Sequence, residues 1–325
     1  MNARPVRIGV ALVAIGFWAC QNAGQDRVFG VQATGIIKGL VYFDRDGNRA
    51  LGAADASMKG VGIRLIVTGT HDTVGRAASD TAGQFRFTGV PIGPVTVSVD
   101  TTTIPGDSLH VVGIDVPSLT VTPGDSFVVH VTVSYPLVDV AQARALAVGT
   151  KAFVTGVALH PSQAFGDSTL RIADTSGSIL LTRVRAAVAT GDSVRWLGTR
   201  ATRNGQPTLD NPNGLGLGTG STTPTRQVST AVAASANGGL IDAALVRVPG
   251  THVTDTATVS GNRQLTVTDG SGPLVVELDT IAGFRGGALV PDTIGAKLDL
   301  TGVLSPVGGA VWHLLARSPA DVIAK

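Results

Sequence analysis

An acidic loop near the N-terminus carries the side chains best suited to chemistry. Four oxygen-bearing side chains stand at positions 1, 3, 5 and 12 of a twelve-residue segment: Asp44, Asp46, Asn48 and Asp55. This is the ligand spacing of an EF-hand calcium loop, in which carboxylate and amide oxygens surround the ion. The spacing therefore predicts a calcium site. The alternative is a polar turn that binds no metal.

Cys20 is the second candidate for chemistry, and it is the only cysteine of the chain. It follows Arg4, Arg7 and an apolar run from Ile8 to Ala19, which is too short to span a bilayer and indicates a secretory signal. The four residues that end at Cys20 resemble the lipobox of bacterial lipoproteins, which implies a lipidated cysteine at the start of the mature chain. The alternative is an ordinary secretory peptide in which Cys20 has no role.

Familiar catalytic motifs are absent from the sequence. It contains no H-E-x-x-H, no G-x-S-x-G and no G-K-[ST] phosphate loop, and its six histidines lack metal-ligand spacing. The glycine run from Gly214 to Gly220 lacks the spacing of a dinucleotide site, and we expect a flexible connector there. With Glu277 as the single glutamate, a two-carboxylate hydrolase is implausible. These observations predict a protein that binds and does not catalyse.

The composition indicates which elements must position these residues. The 325 residues include 42 Gly and 16 Pro among Val- and Thr-rich runs, which predicts two or three domains of short strands and tight turns. Charged residues make up only 15%, and the net charge is +2, so the chain as a whole is neither a polyanion binder nor a disordered acidic tail. We therefore expect an all-β protein.

The acidic loop joins two strand-like runs, 35–43 and 60–68. Further on, Phe85 and Phe87 alternate with polar residues, and a valine strand follows a Pro-Gly turn. Residues 35–100 resemble the B-type domains of bacterial adhesins of the serine-aspartate repeat family, which are prealbumin-like β-sandwiches. We expect the strands up to residue 134 to complete such a sandwich.

The adhesin resemblance implies a calcium site with specific ligands. In that family the acidic loop binds calcium, which here corresponds to Asp44, Asp46, Asn48 and Asp55, with the Ala50 carbonyl as the backbone ligand. Position 6 of the loop is Arg49 where EF-hand loops place Gly, and position 12 is an Asp, shorter than the usual Glu. We therefore expect a modest affinity for calcium.

The remainder of the chain repeats itself. Residues 170–181 align with residues 265–276, and both contain the sequence Asp-x-Ser-Gly, at Asp174 and at Asp269. We interpret both as tight hairpin turns and not as paired catalytic carboxylates. The strand order of the two copies resembles the OB-fold modules of secreted bacterial proteins, over residues 138–325.

The first copy is the basic one. Residues 135–226 contain nine Lys and Arg against five Asp, whereas each flanking segment has an acidic excess of two. Six arginines fall on or beside its predicted strands: Arg171, Arg183, Arg185, Arg195, Arg200 and Arg203. We expect their alternation to project guanidinium groups from one sheet face, as OB-folds do to follow a single-stranded nucleic acid. The alternative is a solvated face without a ligand, because few aromatic residues are available for stacking.

Taken together, the sequence predicts an N-terminal prealbumin-like β-sandwich followed by two OB-like β-barrels. The expected segments are a signal peptide with a lipobox (1–20), a tether (21–34), the sandwich (35–134) and the two barrels (135–226 and 227–325). We expect a secreted or envelope protein, held to a bacterial membrane through its lipid, which binds an extracellular or periplasmic macromolecule. A nucleic-acid-binding accessory and a purely structural spacer are the alternatives.

Overall fold

The computed structural model describes residues 34–285 and 292–325. Cys20, the signal segment and nearly all of the predicted tether lie outside the described residues. Within the described ranges, no helix has the length and apolar character needed to cross a membrane.

Nine strands form a β-sandwich at the N-terminal end. They are β1 (Thr34–Phe43), β2 (Ala56–Ser57), β3 (Gly62–Val67), β4 (Thr73–Ala78), β5 (Gln84–Pro91), β6 (Gly93–Asp100), β7 (His110–Ile114), β8 (Ser118–Val121) and β9 (Ser126–Ser134). In one sheet β1 lies between β9 and the pair β2 and β5, and β7 is at the outer edge of β9. The other sheet has the order β4-β3-β6-β8. A 3-10 turn at Thr101–Thr103 follows β6.

Alternation along the strands builds the core between these two sheets. Ile37 and Val41 of β1 and Phe85 and Phe87 of β5 point inward and are buried, whereas Lys38 and Arg86 face outward. The predicted alternation at Phe85 and Phe87 is therefore confirmed. A notable feature is that β1 and β9, the first and last strands, run parallel and adjacent from Ile36 to Phe43.

The second half of the chain contains two short helices and thirteen strands. The first set is β10 (Leu137–Val138), α1 (Val140–Ala145), β11 (Lys151–Ala158), β12 (Thr169–Ala173), β13 (Ser178–Thr182), β14 (Ser193–Arg203) and β15 (Gln206–Gly218). The second set is β16 (Thr225–Gln227), α2 (Thr230–Ala234), β17 (Leu245–Val259), β18 (Asn262–Thr268), β19 (Leu274–Leu278), β20 (Lys297–Gly308), β21 (Val311–Leu315) and β22 (Val322–Ala324). A 3-10 turn at Pro319–Asp321 precedes β22.

Each set closes into a five-stranded OB-like barrel. The first barrel has the order β11-β12-β13-β15-β14, and β14 pairs back with β11. The second has the equivalent order β17-β18-β19-β21-β20, and β20 pairs back with β17. A short parallel strand and a short helix precede each barrel, so the repeated unit begins with these two elements.

The Asp-x-Ser-Gly turns are confirmed, and they perform a second task. Asp174 Oδ1 accepts hydrogen bonds from the Ser176 and Gly177 amides, as a tight turn requires. Its Oδ2 accepts the Val140 amide at 2.9 Å, at the N-terminus of α1. Asp269 likewise accepts the Thr230 amide of α2 at 3.0 Å. Each hairpin turn therefore caps the helix that precedes its own barrel.

The flexible connector predicted at Gly214–Gly220 is wrong for most of its length. Residues up to Gly218 belong to β15, which pairs with β14 along the barrel wall. Gly214 is needed because the strands approach closely there: a Cβ on this residue would overlap the Arg195 carbonyl oxygen. Close packing against β14 therefore explains Gly214.

Candidate functional site

The acidic loop begins directly at the end of β1, where it is tied to the last strand of the sandwich. The Asp44 amide donates to the Val133 carbonyl at 2.9 Å, and the Asp44 carbonyl accepts the Ser134 hydroxyl at 2.8 Å. These bonds hold the first loop residue against β9. The Asp44 side chain is completely buried as a result.

The loop brings its three carboxylates together. Asp44, Asp46 and Asp55 each offer an oxygen, and these oxygens lie within 4.8 Å of one another. Asn48 is adjacent, because its amide group donates to Asp46 Oδ2 at 3.0 Å and its oxygen accepts the Ala50 amide at 2.6 Å. The three acidic residues predicted as ligands therefore do converge.

Backbone amides of the loop set the orientation of these carboxylates. Asp44 accepts the Gly47 amide at 2.8 Å and the Arg49 amide at 3.0 Å. Asp55 accepts the Gly52 amide at 2.8 Å and the Arg45 amide at 3.1 Å. Arg49 takes a left-handed conformation with φ of 62°, at the position where EF-hand loops have Gly. This conformation costs a non-glycine residue roughly 1–2 kcal/mol.

The electrostatics of the loop favour a cation. Burial raises the pKa of the Asp44 carboxyl group, and the neighbouring Asp46 raises it further. Within the described residues, no Lys, Arg or His side chain forms an ion pair with Asp44, Asp46 or Asp55. A buried carboxylate without a compensating charge is unfavourable. A hard divalent ion with oxygen ligands fits this donor set.

The loop also contacts the first barrel. Arg195 of β14 donates through Nη1 to the Gly47 carbonyl oxygen at 2.7 Å. The Phe153 ring of β11 lies so close to Gly47 that a Cβ there would be 3.1 Å from it. Next to this contact, the rings of Phe43 and Tyr135 meet edge to face, with centroids 5.7 Å apart. The candidate metal site is therefore part of the contact between sandwich and barrel.

The expectation that the six arginines share one exposed face is corrected by the structure. Arg171 and Arg200 are 3% and 8% exposed, and Arg195 is half-buried against the sandwich. Arg183, Arg185 and Arg203 are exposed, but the first two lie in the loop after β13 and not on a strand. The six arginines therefore do not form one phosphate-binding face.

The two buried arginines bond to carbonyl oxygens. Arg171 Nε donates to the Leu304 carbonyl of the second barrel at 3.2 Å, and burial lowers the pKa of Arg171 to about 10. Arg200 Nε donates to the Arg144 carbonyl at 3.1 Å. These contacts give both residues structural roles.

A polar cleft on the first barrel holds two of the exposed arginines. Its volume is about 400 Å³, and four threonines line it: Thr169, Thr182, Thr202 and Thr208. Arg183 pairs with Asp210 at 3.1 Å, and Arg203 lies 3.9 Å from Asp167. Because both carboxylates also line the cleft, its charge is balanced and does not favour a phosphate backbone.

The contact between the two barrels contains side-chain hydrogen bonds that the sequence pattern does not reveal. Arg144 Nη1 donates to the buried Asp242 carboxylate at 2.6 Å. Arg317 Nη1 donates to the Leu159 carbonyl at 2.7 Å. Both barrels also contribute to one buried apolar cluster at this contact: Leu159, Ala173, Leu245 and Val303. No sequence signal marks these residues, because their partners come from the other barrel.

His160 is also buried at this contact. Its Nε2 accepts the Arg171 amide at 3.1 Å, and its Nδ1 donates to the Pro161 carbonyl at 2.8 Å. Burial, together with the nearby Arg171 charge, lowers the pKa of His160 to about 3. The imidazole is therefore neutral at physiological pH, and its hydrogen bonds require that state.

No protein-family model matches the chain, and no curated protein matches it. Among solved structures, it is similar to GBS52, a minor pilin of Streptococcus agalactiae (14% identity, 32% of this chain and 45% of that chain, TM-score 0.24). It is similar to the major pilin SpaD of Corynebacterium diphtheriae (10% identity, 42% of this chain and 35% of that chain, TM-score 0.23). It is also similar to the Ifi202 HINa domain, solved with double-stranded DNA (11% identity, 53% of this chain and 94% of that chain, TM-score 0.25).

The chain spans less than half the length of these two pilins. TM-scores of this size carry no argument about function. The fold assignment rests on the strand order and the sheet pairing described above.

Proposed function

We propose that this chain is a non-catalytic structural and binding protein of the bacterial cell envelope, with a sandwich stabilised by calcium. The observation that carries the proposal is the position of the acidic loop. Its convergent carboxylates lie where the sandwich meets the first barrel. Gly47, whose carbonyl accepts the Arg195 hydrogen bond, directly follows Asp46 in the loop. An ion bound there stabilises the loop and, through Gly47, the contact with the barrel.

Calcium is the ion that best suits this donor set. Asp44, Asp46 and Asp55 would hold it, with the Asn48 side chain and the Ala50 carbonyl as the remaining protein ligands. Calcium accepts six to eight oxygen ligands in flexible geometry, whereas Mg²⁺ demands a near-ideal octahedron. The bound ion supplies positive charge to the buried Asp44 carboxylate, which has no cationic side chain beside it within the described residues.

A calcium titration tests this proposal. Thermal unfolding of the full chain should shift to higher temperature as calcium rises from micromolar to millimolar, because an ion that binds only the folded state stabilises it by mass action. Asp44→Asn and Asp55→Asn should remove the shift. Asp107→Asn, an exposed carboxylate outside the loop, is the matched control and should retain it. An unchanged transition in wild-type protein would mean that the loop is a polar turn.

The structural role is supported by the way the modules are joined. Arg195 bonds the sandwich to the first barrel, and Arg144, Arg171 and Arg317 bond the two barrels to each other. Buried charge-assisted hydrogen bonds between modules restrict their relative motion. Such a chain suits a spacer that presents a binding surface at a fixed distance from its anchor.

We propose further that Cys20 is lipidated and holds the chain to a membrane. Several acyl chains at one terminus bind a membrane far more firmly than one chain does. Cys20→Ser should therefore move the protein from the membrane fraction to the soluble fraction. A wild-type protein that is wholly soluble and has an intact mass without lipid would exclude the anchor.

Nucleic-acid binding by the first barrel is the second candidate function. The excess of basic residues in 135–226 and the exposure of Arg183, Arg185 and Arg203 favour it. The burial of Arg171 and Arg200 and the acidic residues in the polar cleft weigh against it. The structural proposal is therefore the better supported of the two.

A further inference from the structure

The outer face of the five-stranded sheet carries two cations directly opposite each other. Lys38 of β1 is paired in register with Arg86 of β5. Both side chains point away from the core, because the adjacent residues Ile37 and Phe85 are buried in it. Like charges at directly opposed positions of an antiparallel pair destabilise the sheet. This pair is therefore unfavourable for folding on its own.

The other sheet shows how such a pair is normally compensated. Arg64 of β3 is opposite Arg76 of β4, and the Arg64 guanidinium forms an ion pair with Asp100. Neither Lys38 nor Arg86 has an ion-pair partner in the part of the chain that the structure describes. Two neighbouring exposed cations without a counter-ion can both bind one anionic group.

Lys38 and Arg86 line a hollow in the sheet surface, and Asp80 is the acidic residue in its lining. Its Oδ1 accepts the Ala82 and Gln84 amides, both at 2.8 Å, within the turn before β5. Its charge at the rim reduces the attraction for a second anionic group. The hollow is therefore suited to a ligand with one anionic group and not to a polyanion.

The hollow has an apolar floor beside the cations. It has a volume of about 570 Å³ and is lined by Lys38, Arg86, Asp80, Gln84, Leu40 and Val128. The strand register places Val128 of β9 next to Lys38, and Gln84 next to Leu40. Val128 is 49% exposed, so it presents apolar surface to the hollow. Apolar surface and paired cations thus share one concave site.

We propose that this hollow binds an organic anion, a single phosphate or carboxylate group carried on an apolar body. Lys38 and Arg86 bind the anionic group from two adjacent strands, and Arg86 can do so with two parallel N–H donors. Leu40 and Val128 contact the apolar body, and the Gln84 amide is available to a polar substituent. The ligand supplies the negative charge that the cross-strand pair lacks.

Calorimetric titration of the full chain tests the site with defined probes. Phenyl phosphate and benzoate carry a phosphate and a carboxylate, respectively, on an apolar ring. Inorganic phosphate lacks the apolar body, and benzyl alcohol lacks the charge. The buffer contains EDTA, so that calcium at the acidic loop plays no part. We expect saturable binding of phenyl phosphate or benzoate, and at least about tenfold weaker binding of the other two probes, since each lacks one set of contacts.

Matched variants connect the binding to the hollow. Lys38→Gln and Arg86→Gln should each weaken binding about tenfold, because each removes a charge-assisted hydrogen bond. Val128→Thr keeps the branched shape and should weaken the aromatic anions but not inorganic phosphate. Arg76→Gln removes an exposed charge from the opposite sheet and should have no effect. All four positions are exposed, so the fold should persist.

Two results would overturn the proposal. One is the absence of saturable binding of either aromatic anion at millimolar concentration. The other is binding that Arg76→Gln weakens as much as Lys38→Gln does, because this would indicate general attraction to a basic surface. Because the titration is done without calcium, neither result depends on the acidic loop.

Discussion

Arg195 of the first barrel holds the Gly47 carbonyl of the acidic loop at 2.7 Å, across the contact between barrel and sandwich. We expect Arg195→Met to increase the opening of the loop, since the lost hydrogen bond is worth about 1 kcal/mol at a half-buried site. Amide hydrogen exchange of residues 44–55 should become about fivefold faster. Arg226→Met removes an exposed arginine of β16 and is the control. Unchanged exchange in Arg195→Met would mean that the barrel does not support the loop.

The Arg144 to Asp242 pair should dominate the stability of the contact between barrels. Arg144→Met leaves the buried Asp242 carboxylate without its partner, and we expect a loss of about 3 kcal/mol in the free energy of unfolding. Asp242→Asn in the same chain should recover part of this loss, because it removes the uncompensated charge. Urea unfolding of the wild type, the two single variants and the double variant measures the coupling free energy between Arg144 and Asp242. Strictly additive effects would contradict the assigned pair.

His160 should make the stability depend on pH. The folded-state pKa of about 3 is below the unfolded value of about 6.5, so the unfolded chain binds an extra proton between these two pH values. Stability is therefore complete above about pH 6.5 and falls as the pH decreases toward 3, by at most about 1.4 kcal/mol per pH unit. His160→Gln retains a hydrogen-bond acceptor without titrating, and it should reduce this slope. An equal slope in both proteins would exclude His160 as the cause.

Single-stranded nucleic acid should not bind through the first barrel. We expect a labelled oligonucleotide to show little change in fluorescence anisotropy with the full chain, even at low salt, because the cleft balances its arginines with Asp167 and Asp210. Binding that falls steeply with salt, and that Arg183→Gln with Arg185→Gln weakens, would support the nucleic-acid alternative instead.

Lys38 and Arg86, which have no ion-pair partner among the described residues, should limit the stability of the sandwich. Arg86→Glu places an opposite charge across from Lys38, and we expect a gain of roughly 0.5–1 kcal/mol in the free energy of unfolding. Arg76→Glu should gain less, since Asp100 already compensates Arg64 on that side. Chemical denaturation at low salt measures the free energy of unfolding of the two variants relative to the wild type. A larger gain in stability from Arg76→Glu than from Arg86→Glu would show that Lys38 and Arg86 are not the less compensated pair.

The sequence predicted those features whose determinants are close together along the chain. The inward positions of Phe85 and Phe87 follow from alternation, and the turns at Asp174 and Asp269 follow from local backbone bonding. The convergence of Asp44, Asp46 and Asp55 is likewise a property of one twelve-residue loop. In each of these cases the interacting groups are separated by few residues, so their spacing constrains their geometry.

The roles of the arginines could not be predicted in the same way. Arg171 bonds to Leu304 and Arg195 to Gly47, partners that are more than a hundred positions away. Alternation indicates on which side of a strand a residue lies, but it does not indicate whether another module covers that side. The connector predicted at Gly214–Gly220 is wrong for a related reason, because the need for a small residue at Gly214 arises from the neighbouring strand.

The parallel pairing of β1 and β9 has a mechanical consequence. The chain enters the sandwich at Thr34 and leaves it at Ser134, and these residues lie at opposite ends of the two adjacent strands. Tension between the N-terminal side and the barrels therefore pulls β1 and β9 lengthwise past each other. The interstrand hydrogen bonds from Ile36 to Phe43 are then loaded simultaneously and not one after another, so the sandwich should resist extension.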